Sequence, residues 1–179
     1  MRENQIIIAG FGGKGLLFSG KVLAYAGLME GRQLSWLPSY GPEMRGGTAN
    51  CNVILSDREV GSPIVTKPDI LMVMNLPSLD KYENDVQPGG KIFVDSSLIA
   101  RKVNRTDVEA YYIPATRMAQ ELGVPTLANM VLLGALVAKT NCITEEALDA
   151  GLQKVIPARK ADMLDLNRKA LAAGKDFFA

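Results

Sequence analysis

Gln5-Ile6-Ile7-Ile8-Ala9 runs straight into Gly10-Phe11-Gly12-Gly13-Lys14-Gly15, and the reading of this stretch decides the fold. The first five residues form a short β-branched run of the kind found in a strand buried on both faces. Behind the glycines, Leu16 to Met29 carries helical periodicity through Leu17, Val22, Leu23, Ala24 and Leu28. Gly31 stands where a helix-ending glycine belongs. Strand, glycine turn and helix together form the opening unit of an α/β sheet.

Further strands are expected at Leu34 to Leu37, Ala49 to Leu55, Ile70 to Met74, Ile92 to Val94 and Val108 to Ile113. Ser56 to Glu59 reads as a hairpin turn into a short strand around Val60. Helices are expected over Pro77 to Tyr82, Ala115 to Leu122, Leu127 to Thr140, Thr144 to Val155, and Lys160 to Ala173, the last ending at Gly174. Leu127 to Thr140 is apolar nearly all round, which marks a buried helix. Strands fill the first two-thirds and helices the last third. The expected fold class is therefore α/β, a three-layer Rossmann-like sandwich with a helical C-terminal segment, residues 1–179 making one domain.

Composition excludes several functions. With 20 basic and 19 acidic residues the net charge is +1, and no block of like charge suggests a phosphate-neutralising face. The chain has no histidine, so the usual acid–base side chain near neutral pH and the commonest nitrogen ligand for metals are both missing. Cys51 and Cys142 lie far apart, outside any CxxC pair, and cannot alone hold an iron–sulfur cluster, which takes about four thiolates. No catalytic residue and no metal site is expected. The apolar run after Gln5 is too short for a signal peptide, and Leu127 to Ala138 falls short of the ~18 apolar residues of a membrane span. The cytoplasm is the expected compartment.

Gly10-x-Gly12-x-x-Gly15 matches the dinucleotide-binding pattern between a buried strand and a helix. Such glycines let the backbone approach a phosphate, the helix N-terminus offers free N–H donors, and Lys14 adds positive charge. A nucleotide of the NAD type also requires an acidic residue at the end of the second strand. That strand ends Leu37-Pro38-Ser39, no acid lies between Gly31 and Pro42, and Glu30 precedes the strand. A P-loop fails as well, because Lys14 is followed by Gly15 in place of Ser or Thr. Two readings stay open at Gly10, Gly12, Gly13, Lys14 and Gly15: contact with a phosphate or cofactor, or a tight turn serving helix–strand packing alone.

Tyr40-Gly41-Pro42-Glu43-Met44-Arg45-Gly46-Gly47-Thr48 sets large side chains on a segment whose glycines and proline forbid regular structure. That suits a binding surface better than a spacer. Tyr40, Arg45, Gly46, Gly47 and Thr48 are the candidates here, against an ordinary loop with Arg45 paired to Glu43. Asn129 is expected to be a cap or a satisfied buried amide, Asp69 and Asp95 turn or cap residues, and Met72, Met74, Met118 and Met130 core or interface filler.

The glycine turn, the Ser39 to Thr48 segment, Ser56-Asp57, Ser62-Pro63, Pro68-Asp69 and Asn129-Met130-Val131-Leu132-Leu133-Gly134-Ala135 closely resemble the gamma subunit of 2-oxoacid:ferredoxin (acceptor) oxidoreductases. Lys14 departs from the pattern, since many members carry glutamine there. The resemblance covers nearly the whole chain. It implies coenzyme A-dependent oxidative decarboxylation of a 2-oxoacid, with the electrons passed to ferredoxin. It also implies that thiamine diphosphate with Mg lies between alpha- and beta-type subunits, and iron–sulfur clusters in the beta and delta components, with no cofactor bound by this chain alone. The expected partners are the alpha, beta and delta subunits, with no nucleic acid and no membrane. The two glycine-containing loops are expected to face those partners, with Lys14 and Arg45 as candidate contacts to coenzyme A. A stand-alone nucleotide-binding oxidoreductase and a scaffold subunit without ligand contact are the alternatives. Pyruvate, 2-oxoglutarate and branched-chain substrates all stay open, with Thr48-Ala49-Asn50-Cys51 leaning towards the last two.

Overall fold

The computed structural model describes residues 2–39 and 48–179, Thr48 by its backbone alone. The candidates Tyr40, Arg45, Gly46 and Gly47, and the Glu43–Arg45 pairing, lie outside the described residues.

Six strands, β1 (Glu3–Phe11), β2 (Gln33–Ser39), β3 (Thr48–Ser56), β4 (Ile70–Val73), β5 (Lys91–Asp95) and β6 (Glu109–Ile113), form one sheet in the order β2-β3-β1-β4-β5-β6. β1, β4, β5 and β6 run parallel, while β3 is antiparallel to both of its neighbours. The helices are α1 (Leu16–Met29), α2 (Leu76–Tyr82), α3 (Ala115–Glu121), α4 (Ala128–Thr140), α5 (Glu145–Val155) and α6 (Ala161–Asp176). The fold is α/β, as its sequence pattern predicts.

The alternation of side chains along a strand divides the core in two. Ile6, Ile8, Cys51, Val53, Leu55 and Met72 face α1 and α4, with α3, α5 and α6 joining the same cluster. Ile7, Ala9, Leu71, Val73, Ile92 and Val94 face the other way, onto Leu79 of α2 and the segments carrying Val65 and Ile99. The helical side is two helices deep, because α5 packs on α1 and α6 on α4. That depth explains why α4 is apolar nearly all round: Ala128 through Val137 are all buried, between the sheet on one side and α6 on the other.

Two sequence expectations fail, each for a tertiary reason. Val60 lies in no strand. β3 already has β1 on one edge and β2 on the other, so a following hairpin strand has no edge to pair with. Val60 instead packs, partly buried, against the second core. Nor does Gly174 end the last helix, since α6 continues to Asp176. A Cβ at Gly174 would come within 1.8 Å of the Val131 carbonyl oxygen of α4, so the glycine is there for close approach. Among the described residues, no helix is long and apolar enough to cross a membrane.

Candidate functional site

The glycine turn begins where β1 ends. A Cβ on Gly10 would meet Leu16 Cδ1 at 2.9 Å and Met74 Cβ at 3.1 Å, so its bare backbone lets α1 start directly against the sheet. Gly13 (φ 82°) and Gly15 (φ 74°) hold the left-handed conformation that side chains disfavour. Gly12, Gly13 and Lys14 are exposed.

Gly15 is the N-cap of α1. It has no side-chain cap among the described residues, and the first turn carries no acidic residue. Among the described residues no side chain caps the N–H groups of Leu16, Leu17 and Phe18, which lie at the positive end of the helix dipole. The turn and these residues, with Ala49, line an open cleft of ≈ 210 Å³. Its lining combines the glycines of the turn with Phe11, Leu16, Leu17 and Phe18, and the neighbouring Lys14 is exposed.

Topology gathers more at the same edge. Phe11 pairs with Thr48 and Ser39 with Asn50, so the chain leaves β2 and enters β3 next to the glycine turn. The residues that flank the second loop, Ser39 and Thr48, thus lie at the same end of the sheet as the glycine turn. β4 and β5 finish at this end too, bringing Leu76 and Leu98, which are exposed apolar residues like Phe11. It is also the switch point of the sheet: from β1 the chain crosses towards β2, whereas β4 leads away to β5 and β6.

The NAD reading loses its geometry. In a dinucleotide fold the second strand lies beside the first and runs parallel to it, which brings its terminal acid to the ribose. Here antiparallel β3 takes that place, and β2 is one strand further out. Glu30 is engaged elsewhere, accepting from the backbone N–H of Thr144 at 2.7 Å.

Asn129 does more than the sequence suggested. It lies in the first turn of α4, one residue beyond the start and two beyond the N-cap Leu127. Its Nδ2 donates to the Gly15 carbonyl and to Ser19 Oγ, both at 2.9 Å. Its Oδ1 has no partner among the described residues. The sequence signal was available as a lone amide in an apolar run, but not its target 114 residues away.

The other polar candidates are structural. Asp95 accepts from the N–H of Ser97 and from the N–H and Oγ1 of Thr116. Asp69, at the opposite end of the sheet, accepts from the N–H of Gln5, and burial pushes its carboxyl above the usual range. Cys51 and Cys142 are buried free thiols, and burial raises both, Cys51 to about 12. Neither suits a thiolate ligand, and among the described residues no three His, Cys, Asp or Glu side chains gather as a metal site. These residues do not fit an iron–sulfur cluster or a Mg-bound cofactor.

The family model for pyruvate ferredoxin/flavodoxin oxidoreductase matches residues 5–177. The chain belongs to this family. It is 40% identical over 177 residues to the ketoisovalerate oxidoreductase subunit VorA of Methanothermobacter marburgensis, covering 98% of this chain but 37% of that protein. The chain thus spans little more than a third of the length of that relative. It is 38% identical over 158 residues to the 2-oxoglutarate synthase subunit KorC of Methanocaldococcus jannaschii, covering 87% of this chain and 84% of that one. Among solved structures, the gamma subunit of a keto/oxoacid ferredoxin oxidoreductase from Geobacter sulfurreducens superposes with a TM-score of 0.83 at 32% identity, over 97% of this chain and 96% of that one. The 2-oxoglutarate:ferredoxin oxidoreductase from Magnetococcus marinus, with 2-oxoglutarate, coenzyme A and succinyl-CoA bound, gives 0.86 at 26% identity, over 98% of this chain and 31% of that one.

Proposed function

We propose that this chain is the gamma-type subunit of a thiamine diphosphate-dependent 2-oxoacid:ferredoxin oxidoreductase, its whole length serving as one gamma-type domain. The complex would oxidatively decarboxylate a 2-oxoacid onto coenzyme A, with the bond-making and electron relay on alpha, beta and delta partners. A branched-chain 2-oxoacid or 2-oxoglutarate is the substrate, in keeping with relatives of both names at similar identity. The chain's own part is to bind and orient. The observation that carries this reading is that Ser39 and Thr48, which flank residues 40–47, lie beside the glycine turn at the switch point of the sheet. A helix N-terminus without a side-chain cap among the described residues, an exposed lysine and exposed apolar residues there suit a partner interface bordering an anionic ligand.

Gly10, Gly12, Gly13, Gly15, Gly46, Gly47 and Thr48 supply backbone approach in this reading. Lys14 and Arg45 supply charge for the coenzyme A phosphates, and Tyr40 a ring and a hydroxyl. Arg45→Ala and Lys14→Ala, each reconstituted into the complex, are expected to raise KM for coenzyme A about tenfold, the effect of one charge-assisted hydrogen bond. Turnover at saturating coenzyme A should change little. If KM and turnover both hold in both variants, the ligand role is wrong and these loops meet only partner subunits.

The stand-alone nucleotide enzyme makes a contrary prediction. With β3 between β1 and β2, NAD, NADP and FAD should leave the melting temperature of the full chain unchanged. A saturable rise with any of them would revive it.

A further inference from the structure

We infer that Asn129 is a positioning residue for the glycine turn, fixing Gly15 and the first turn of α1 so that the Leu16, Leu17 and Phe18 N–H groups stay presented to an anion. The inference rests on reading the turn as the coenzyme A contact.

A Ser or Asp at an N-cap folds its own oxygen over the first-turn N–H groups and occupies them. Gly15 cannot, which leaves those donors open but also leaves the cap without a side chain to hold it. Glycine at positive φ is the most mobile choice the backbone offers. Something outside the helix must restrain it, and Asn129 does so from α4.

Its Nδ2 bonds the Gly15 carbonyl and Ser19 Oγ, each at 2.9 Å, and Ser19 Oγ lies 3.3 Å from the same carbonyl. Ser19 is fully buried, so the three groups form a closed clasp at the root of the turn. The amide also packs flush on Gly15. A Cβ there would lie 2.6 Å from Nδ2 and 3.0 Å from Cγ, so contact and conformation together exclude a side chain at position 15.

Core packing does not account for this residue. Asn129 is 2% exposed within a run of buried residues that are otherwise apolar or glycine, and its Oδ1 has no partner among the described residues. An aliphatic side chain would avoid burying an unsatisfied acceptor. A helix that carries an amide in spite of that cost is retaining it for what Nδ2 holds. α4 is wedged between the sheet and α6, which makes it a rigid arm from which to hold a loop.

Asn167 on α6 supplies the control. It is 1% exposed, donates Nδ2 to the Met163 carbonyl at 2.8 Å and leaves Oδ1 unpartnered among the described residues, where it makes no hydrogen bond to the turn. Asn129→Ala, Asn129→Asp and Asn167→Ala are to be reconstituted into the complex. KM for coenzyme A, kcat at saturating coenzyme A and melting temperature are measured for each. Asn129→Asp keeps the shape but turns an acceptor towards the Gly15 carbonyl.

Both Asn129 variants are expected to raise KM for coenzyme A roughly five- to tenfold, as for a binding loop deprived of one hydrogen bond, with kcat within about twofold. Asn167→Ala should lower the melting temperature comparably and leave KM alone. If Asn129→Ala does not assemble, Asn129→Asp carries the same comparison. Unchanged KM in the Asn129 variants, with Lys14→Ala raising it, overturns the positioning role and spares the coenzyme A reading. Unchanged KM in Lys14→Ala, Arg45→Ala and Asn129→Ala alike overturns both.

Discussion

Arg32→Ala is expected to destabilise the chain by about 3 kcal/mol, because hydrogen bonds from a charged donor contribute about 1.5–3 kcal/mol each and their carbonyls would be left buried. For a chain of this size that is a fall of roughly 6–12 °C in melting temperature. Arg32 follows Gly31, whose positive φ (73°) turns the chain out of α1, and the residue is 8% exposed. Nη1 donates to the Cys142 carbonyl at 2.8 Å and Nη2 to the Leu55 carbonyl at 3.0 Å. One fork thus joins the end of α1, strand β3 and the segment that follows α4.

The nearby Asp57 carboxylate matters less. It lies 3.7 Å from Nε and is about half exposed, where an ion pair contributes under about 1 kcal/mol. Asp57→Asn should therefore be nearly silent. Arg32→Lys should recover only part of the loss, since an ammonium cannot reproduce the planar fork. If Arg32→Ala melts within about 2 °C of the parent chain, the carbonyl bonds are not what holds these elements together.

Gly174→Ala comes next, with an expected loss of about 2 kcal/mol. Helix propensity alone predicts the opposite sign, because alanine is favoured over glycine by about 1 kcal/mol in a helix interior. Overpacking wins. The added Cβ would lie 1.8 Å from the Val131 carbonyl oxygen and 2.9 Å from the Ala135 nitrogen, both backbone atoms that no rotamer change can move. The helices must separate by more than an ångström, at a cost near the upper end of the about 1–3 kcal/mol typical of overpacked cores. Gly134 makes the reciprocal contact on the Leu171 carbonyl, so α4 and α6 touch backbone to backbone. A variant that melts at or above the parent temperature would mean that α6 can slide over α4 without loss.

These two sites and Asn129 describe one mechanical arrangement. α4 is joined to the α1 region at one end by the Asn129 clasp on Gly15, and beyond its other end by Arg32 on Cys142. α6 presses it against the sheet between them.

Much of this was legible in the sequence because its signals are local. The β-branched run before Gly10, the periodicity of Leu16 to Met29, the cap at Gly31 and the all-round apolar α4 each follow from neighbouring residues. The glycine turn was legible for the same reason. Where reading failed, a distant partner decided. Val60 resembled the far side of a hairpin until β2 was seen to occupy the edge it needed. Gly174 resembled a helix end, since a glycine required for contact and one required for a turn look alike in a string of letters.

By itself the sequence determined that this is an α/β chain with a glycine turn after its first strand, with no histidine and two widely separated cysteines. It also carried the family resemblance in full. Only the tertiary structure decided what the turn is next to. Strand order is set by long-range pairing, and pairing placed antiparallel β3 beside β1, removed the dinucleotide geometry and brought Ser39 and Thr48, which flank residues 40–47, to the turn. Asn129 reaches Gly15 for the same reason: a contact across 114 residues is made by packing helices, and no local pattern encodes it.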